Sequence, residues 1–352
     1  MLTKNTLQRW SGSMVWEGAS VGERYSWVIQ LSEYDLDIIQ IALQKAKLQS
    51  KPLAELTAQD FDFKDLGRRF LSINEDLLNG PGFVVLRGLP VDRWSHDELV
   101  WAYWAIGAWF GSTVPQNARA DLLGHVIDQR MDSSNSATRI YQTNRAQPFH
   151  SDSCDIVGLL CLRQAKRGGC SSIASAASIH NKLLDCDRSV LEQLYDEFLC
   201  DRYDEIPAGK QAFYPVHIFN RVDEQLVCCG MDPDIRSAQR LGVVRKLSVD
   251  QVYALDKFQE IAKSLSLEMM LQPGDIQLVN NLTVVHAREA FDDYSDPAKR
   301  RYMVRLWLSS PRGRALPKFL VERWGNLDVG TVRGGIRVPG ATPTVNLNWQ
   351  IG

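Results

Sequence analysis

The sequence predicts a mainly β fold with flanking helices. Six strand-like runs rich in Val, Ile and Leu recur along the chain, several of them apolar on both faces, which is the pattern of strands covered from both sides. Between them lie helical segments that open on Ser or on a Ser-x-x-Glu/Gln capping box. No repeat, low-complexity tract or linker interrupts the 352 residues, so one elaborated domain, 1–352, is expected.

In chain order, Ser32 caps a helix over Tyr34 to Leu48, within an amino-terminal helical region of about 1–80. The run Gly82 to Leu89 (GFVVLRGL) reads as the first strand, and Ser95 with Glu98 starts a helix through Trp101, Tyr103, Trp104 and Trp109, an aromatic run suited to packing. The next strands are Ile156 to Ala165 and Ser171 to Ser175. Ser178 is expected to cap a helix from Ile179 to Phe198, and Ser248 with Gln251 another to Ser264, giving a helical insertion of about 178–265 that also holds the run Leu226 to Gly230. The last strands are Asp275 to Asn280 and Arg301 to Ser309. A tail, 311–352, carries scattered Gly and Pro and is read as a pocket cover, a subunit contact or a loosely ordered end.

Composition narrows the function classes. Forty Lys plus Arg against 42 Asp plus Glu give a net charge of −2 with no long basic run, which disfavours nucleic acid and anionic lipid as partners. The longest apolar stretch, Leu99 to Phe110, is about half a bilayer span, and the first residues, MLTKNTLQRW, lack the apolar core of a secretion signal, so a cytoplasmic location is expected. Seven cysteines without a Cys-x-x-Cys pair point to buried thiols, not to a disulfide framework or structural zinc.

A mononuclear iron site open to co-substrate and dioxygen needs two imidazoles and a carboxylate on one face. Two His-x-acid pairs occur. His96-x-Glu98 sits inside the Ser95 capping box, which explains it structurally; His150-x-Asp152 adjoins a strand, where residues i and i+2 share a face. His286, near the end of a later strand, is the expected third ligand, whereas His125, His180 and His217 have no comparable setting. In the strand Arg301 to Ser309, Arg301, Met303, Arg305 and Trp307 share one face, and Tyr302, Val304, Leu306 and Leu308 the other. The two arginines then point inward about 13 Å apart, a spacing set by strand rise. A buried guanidinium needs either an internal carboxylate or a bound dicarboxylate.

His150-x-Asp152, His286, and Arg301 fifteen residues after His286 resemble the Fe(II)/2-oxoglutarate-dependent dioxygenases of the taurine dioxygenase (TauD/TfdA) family, in the clavaminate synthase-like group. The likeness runs from GFVVLRGLP through FHSDS, AKRGGCSSIAS, LQPGDIQLVNN and VVHAREAF to RRYMVRLWLS, about residues 80–310. It implies a double-stranded β-helix, or jelly roll, with a helical insertion between the two histidines. It also implies Fe(II) on His150, Asp152 and His286, 2-oxoglutarate held by Arg301 and Ser171, and O2 as oxidant. Succinate and CO2 are released as a substrate C–H bond is oxidised, with hydroxylation expected and desaturation or cyclisation as the alternative. Asp152 argues against halogenation, which needs a small residue there.

The expected partner is a small molecule, anionic or amino-acid-like, with Arg305, Arg236, Arg240, Asn144 and Asp155 as candidate contacts; homo-oligomerisation stays open. Gln147, Asn280 and Asn281 either line the pocket or satisfy loop backbone. Two readings from other classes compete. A jelly-roll metal protein without oxygen chemistry would need the His-Asp-His set but neither Arg301 nor Ser171. A serine hydrolase would rest on Gly18-Ala19-Ser20-Val21-Gly22, which lacks the buried strand a nucleophile elbow requires.

Overall fold

The computed structural model describes residues 7–131, 139–203, 205–230 and 232–348. The amino-terminal part runs α1 (Gly18–Arg24), β1 (Val28–Gln30), α2 (Glu33–Lys47), α3 (Lys64–Asn79), β2 (Phe83–Arg87), α4 (His96–Ala108), β3 (Ser112–Thr113) and β4 (Gly124–Val126). Then come β5 (Gln147–His150), β6 (Ile156–Arg163), β7 (Arg167–Gly168), β8 (Ser171–Ser175), α5 (Ala176–Cys186), α6 (Arg188–Leu194) and the hairpin β9 (Phe198–Asp201) with β10 (Phe213–Val216). A second hairpin, β11 (Phe219–Val222) with β12 (Gln225–Cys228), leads to α7 (Asp232–Ala238) and α8 (Val249–Leu265). The chain closes through β13 (Leu267–Met269), β14 (Ile276–Asn280), β15 (Val284–Arg288), β16 (Phe291–Asp292), β17 (Tyr302–Ser309) and α9 (Val321–Trp324).

Two sheets face each other as a jelly roll. The larger has the order β1-β2-β14-β6-β17-β3, with β4 also on β17; the smaller has the order β13-β8-β15-β5. Strand periodicity assigns the faces. From β17, Tyr302, Val304, Leu306 and Leu308 enter the core beneath α2, α3 and α4, while Met303 and Trp307 enter the core between the sheets. The helical layer sits close: a Cβ on Gly107 would come within 2.7 Å of Leu306 Cδ1. From the smaller sheet, Ala174 and Val285 face a third core built with α5, α6 and α8, and Ile173 and Val284 face inward.

The N-caps expected at Ser32, Ser95 and Ser248 are present, each as a capping box, the one at Ser32 being completed by Asp35. The one expected at Ser178 is replaced by Ser175, whose Oγ accepts the Ser178 N–H at 3.0 Å. Strand β8 therefore passes straight into α5, and the helix breaks at Asp187, whose carboxylate caps α6, instead of continuing to Phe198. The insertion also contains the two hairpins, so Leu226 to Gly230 belongs to neither main sheet. The amino-terminal region adds β1, paired parallel with β2. All seven cysteines are free, and no described helix is long and apolar enough to cross a membrane.

Candidate active site

His150 ends β5, and His286 lies directly opposite it on β15, so the sheet register alone brings the two rings to a centroid distance of 4.2 Å. Asp152 arrives differently from the expected strand alternation. The strand ends at His150, and the turn into β6 brings the carboxylate back beside both imidazoles. Asn281 holds that turn, accepting the Asp152 N–H at 2.9 Å and donating to the carbonyls of Asp152 and Cys154.

Asp152 Oδ1 is 3.9 Å from His150 Nε2, and Oδ2 is 3.7 Å from His286 Nε2. One donor atom from each of the three lies within 4.8 Å of the others, the spacing of groups that share an ion. His150 Nδ1 is hydrogen-bonded to the Pro148 carbonyl at 2.9 Å, which turns Nε2 toward the cavity, where the Gln147 amide meets it at 2.8 Å. Burial, together with the neighbouring His150, pushes His286 down to about 3, so it stays a neutral imidazole. Burial also raises Asp152, but Arg305, the two histidines and the Trp307 N–H outweigh it and hold the carboxyl below its ordinary value. Two imidazoles and a carboxylate are the donor set that suits Fe(II).

On one side the triad opens into a cavity of about 530 Å³ whose lining includes Leu159, Ser171, Leu271, Arg288 and Arg301. Arg301 and Arg288 are buried and form no ion pair among the described residues; Arg301 Nη1 and Arg288 Nε and Nη1 have no hydrogen-bond partner. Both guanidiniums lie about 5 Å from the Phe291 ring centroid (5.2 and 4.9 Å). Burial lowers Arg301 to about 10 and Arg288 to about 9, Arg301 adding repulsion at Arg288. Gly169, at φ +76°, leaves room for Arg301, whose Nε would sit 3.2 Å from an added Cβ. Ser171 Oγ donates to Gln277 at 3.2 Å in the same cavity. Buried cations without carboxylate partners need an external anion, and a dicarboxylate fits the pair.

On the other side lies a pocket of about 710 Å³ that Asp152, Arg305 and Trp307 share with Tyr203, Asp234 and Arg323. Trp307 Nε1 donates to Asp152 Oδ2 at 2.8 Å, and Arg305 reaches the same oxygen at 3.4 Å while giving Nε to Gln116 at 2.8 Å. Asp234 is raised by burial against the opposing fields of Arg139 and Arg323.

Four of the expected substrate contacts lie elsewhere. Asp155 is ion-paired with Arg333 at 2.7 Å, both side chains fully buried. Arg236 pairs with Asp232 and Asp256, and Arg240 with Asp201. Asn144 lines a separate open depression near Asp293, its carbonyl accepting the Phe291 N–H. Asn280 and Asn281 act on backbone groups, as Asn in loops commonly does. The other histidines have structural partners: His96 the Leu347 carbonyl, His125 Tyr302, His180 the Tyr195 hydroxyl and His217 the Tyr195 carbonyl. Sequence reasoning misses Arg288, Asp234, Tyr203 and Arg323. Arg288 alone has a local signal, since it shares strand parity with His286.

The family model described as "Taurine catabolism dioxygenase TauD, TfdA family" matches residues 49–307. A protein named FR-33289 synthase, from Streptomyces rubellomurinus, is 33% identical over 90% of this chain and 95% of its own length. A taurine hydroxylase-like protein of Stachybotrys chartarum is 29% identical, over 83% and 78%. Among solved structures, asparagine oxygenase with Fe(II), 3-hydroxyasparagine and succinate superposes with a TM-score of 0.62 at 16% identity, covering 80% of this chain and 93% of that one. The non-heme iron oxygenase OrfP with Fe and alpha-ketoglutaric acid gives 0.57 at 12% identity, over 80% and 94%. The chain belongs to the TauD/TfdA family and is an Fe(II)/2-oxoglutarate-dependent oxygenase.

Proposed function

We propose that this oxygenase hydroxylates a C–H bond of a small anionic or amino-acid-like molecule seated in the larger pocket, with His150, Asp152 and His286 as the iron ligands. One observation carries the reading: the triad stands between two cavities, one lined by unpaired buried guanidiniums and the other by mixed charges. Bound Fe(II) with 2-oxoglutarate and O2 supplies the oxidant, releasing succinate and CO2. The chain's own groups do the rest. Arg301 and Ser171 hold the distal carboxylate of the co-substrate, and Arg288 adds a second cation to the same cavity. Trp307 and Arg305 fix the rotation of the Asp152 carboxylate. Val157, Leu159 and Leu271 keep the co-substrate cavity apolar between its polar ends. The amino-acid products named with the asparagine oxygenase and OrfP structures support a substrate of that size.

The test is an anaerobic titration with Fe(II) and then 2-oxoglutarate, monitoring the visible charge-transfer band of a chelated keto acid. The band should form in the wild type and demand far more co-substrate in Arg301→Ala with iron affinity unchanged. Iron binding without a band would refute the reading.

A further inference from the structure

The family match ends at residue 307, yet the larger pocket is completed by residues beyond it in the chain. Arg323, on α9, and Ile336 form part of its wall. This C-terminal segment is pinned to the metal-ligand turn. Arg333 donates to Asp155 through Nε at 3.2 Å and Nη2 at 2.7 Å, and to the carbonyls of Leu327 and Arg314. The Gly335 N–H donates to the Ser153 carbonyl at 2.7 Å, one residue from Asp152, and the Ile336 N–H to the Pro115 carbonyl at 2.8 Å. Gly335 has φ +75°, and an added Cβ would lie 2.8 Å from the Pro115 oxygen, so this turn requires glycine.

Three guanidiniums besides the co-substrate pair border the sites, and two are committed. Arg139 is ion-paired with Glu205 and lies 4.0 Å from the Tyr203 ring centroid. Arg305 is held by Gln116 and Asp152 and lies over the Tyr141 and Trp307 rings. Arg323 gives Nε to Ser153 Oγ at 3.1 Å and lies over Tyr214, but forms no ion pair among the described residues. Asp234, in the same pocket, likewise has none among them, and the neighbouring Tyr203 hydroxyl donates to the Pro233 carbonyl at 3.4 Å. A cation and a carboxylate left unpaired in one pocket are complementary to a ligand with both a donor and an anionic end.

We infer that Arg323, and not Arg305, binds the anionic group of the substrate while Asp234 takes an amine or hydroxyl, so that the C-terminal segment sets the substrate class: a short molecule bearing both groups. This rests on the oxygenase reading for the bond that is oxidised, but not for the binding itself.

Calorimetric titration of the anaerobic holoenzyme with three probes tests it: 3-aminopropanesulfonate with both groups, propanesulfonate with the anion alone and propylamine with the amine alone. The two-ended probe should bind most tightly. Arg323→Gln should weaken both sulfonates about 10- to 100-fold, the range for losing a charge-assisted hydrogen bond, and leave propylamine unchanged; Arg323→Lys should recover part of the loss. Asp234→Asn should weaken the two amines and spare propanesulfonate. Unchanged sulfonate binding in Arg323→Gln, or no binding of any probe by the wild type, would overturn the inference. The charge-transfer band, read on the same samples, reports the oxygenase reading separately, because the Arg323 variant should keep it at wild-type co-substrate concentrations.

Discussion

The two ends of the active site are made in different ways. The end proposed for the metal and co-substrate is built largely by strand pairing: His150 faces His286 across a ladder, and Arg288 and Arg301 project from strand β15 and the edge of β17. The end proposed for the substrate is assembled from Arg139 and the residues that follow it, the insertion carrying Tyr203 and Asp234, and the C-terminal segment carrying Arg323 and Ile336. Backbone hydrogen bonds fix the first to within strand geometry, whereas the second depends on side-chain pins such as Asp155–Arg333. The difference teaches that a reaction can be kept on a sheet while selectivity is left to segments outside it.

The comparison breaks most visibly if the ladder end tolerates change. His150→Ala or Asp152→Ala should reduce succinate release to background and abolish stoichiometric iron uptake; retained turnover would mean that the ligands lie elsewhere. Arg301→Ala should cost about 100-fold in 2-oxoglutarate affinity, and Arg288→Met about 10-fold, the range for truncating a partner of a buried charge contact. Equal losses of iron would instead point to misfolding.

At the pinned end, Arg333→Met should lower stability by about 3 kcal/mol in urea denaturation, because Asp155 is left buried and uncompensated. It should also uncouple succinate release from substrate oxidation while the charge-transfer band survives. Asp155→Leu with Arg333→Met should regain much of the stability, and failure to do so would mean that the pair does more than cancel its own burial. A further effect concerns the insertion. Burial lowers His180 to about 4, below its ordinary value of 6.5. The fold therefore prefers the neutral ring, and its contribution is full above about pH 6.5 and lost as pH falls toward 4. Wild type should lose on the order of 2 kcal/mol more than His180→Gln over that window; parallel denaturation midpoints would remove His180 as the cause.

What is legible in the sequence divides along the same line. Alternation along Arg301 to Ser309 sorts its side chains between the helix-side core and the interior, because period 2 is a local property. Helix caps are equally legible at Ser32, Ser95 and Ser248. Strand parity is an incomplete reason for Asp152: it reaches the histidines through a turn held by Asn281, 129 residues away. Asp155, Arg236 and Arg240 do not reach the pocket expected for them, because their carboxylate or guanidinium partners are invisible to local pattern; Arg333 is 178 residues from Asp155. Ser175 is hidden as a cap because it also ends a strand. Arg323 sits in a tail with no periodicity, and only the fold brings it to the pocket.

The two uncompensated guanidiniums beside the triad have a metabolic consequence. A cavity that must hold an anion to be comfortable does not distinguish sharply between a co-substrate and a product that shares its distal carboxylate. Succinate retains that carboxylate and loses the keto group, so in the proposed arrangement it would keep the arginine contacts while forfeiting chelation. The oxygenase should then melt at a higher temperature with either dicarboxylate present, and its pace in the cell should track the ratio of 2-oxoglutarate to succinate more closely than the concentration of either.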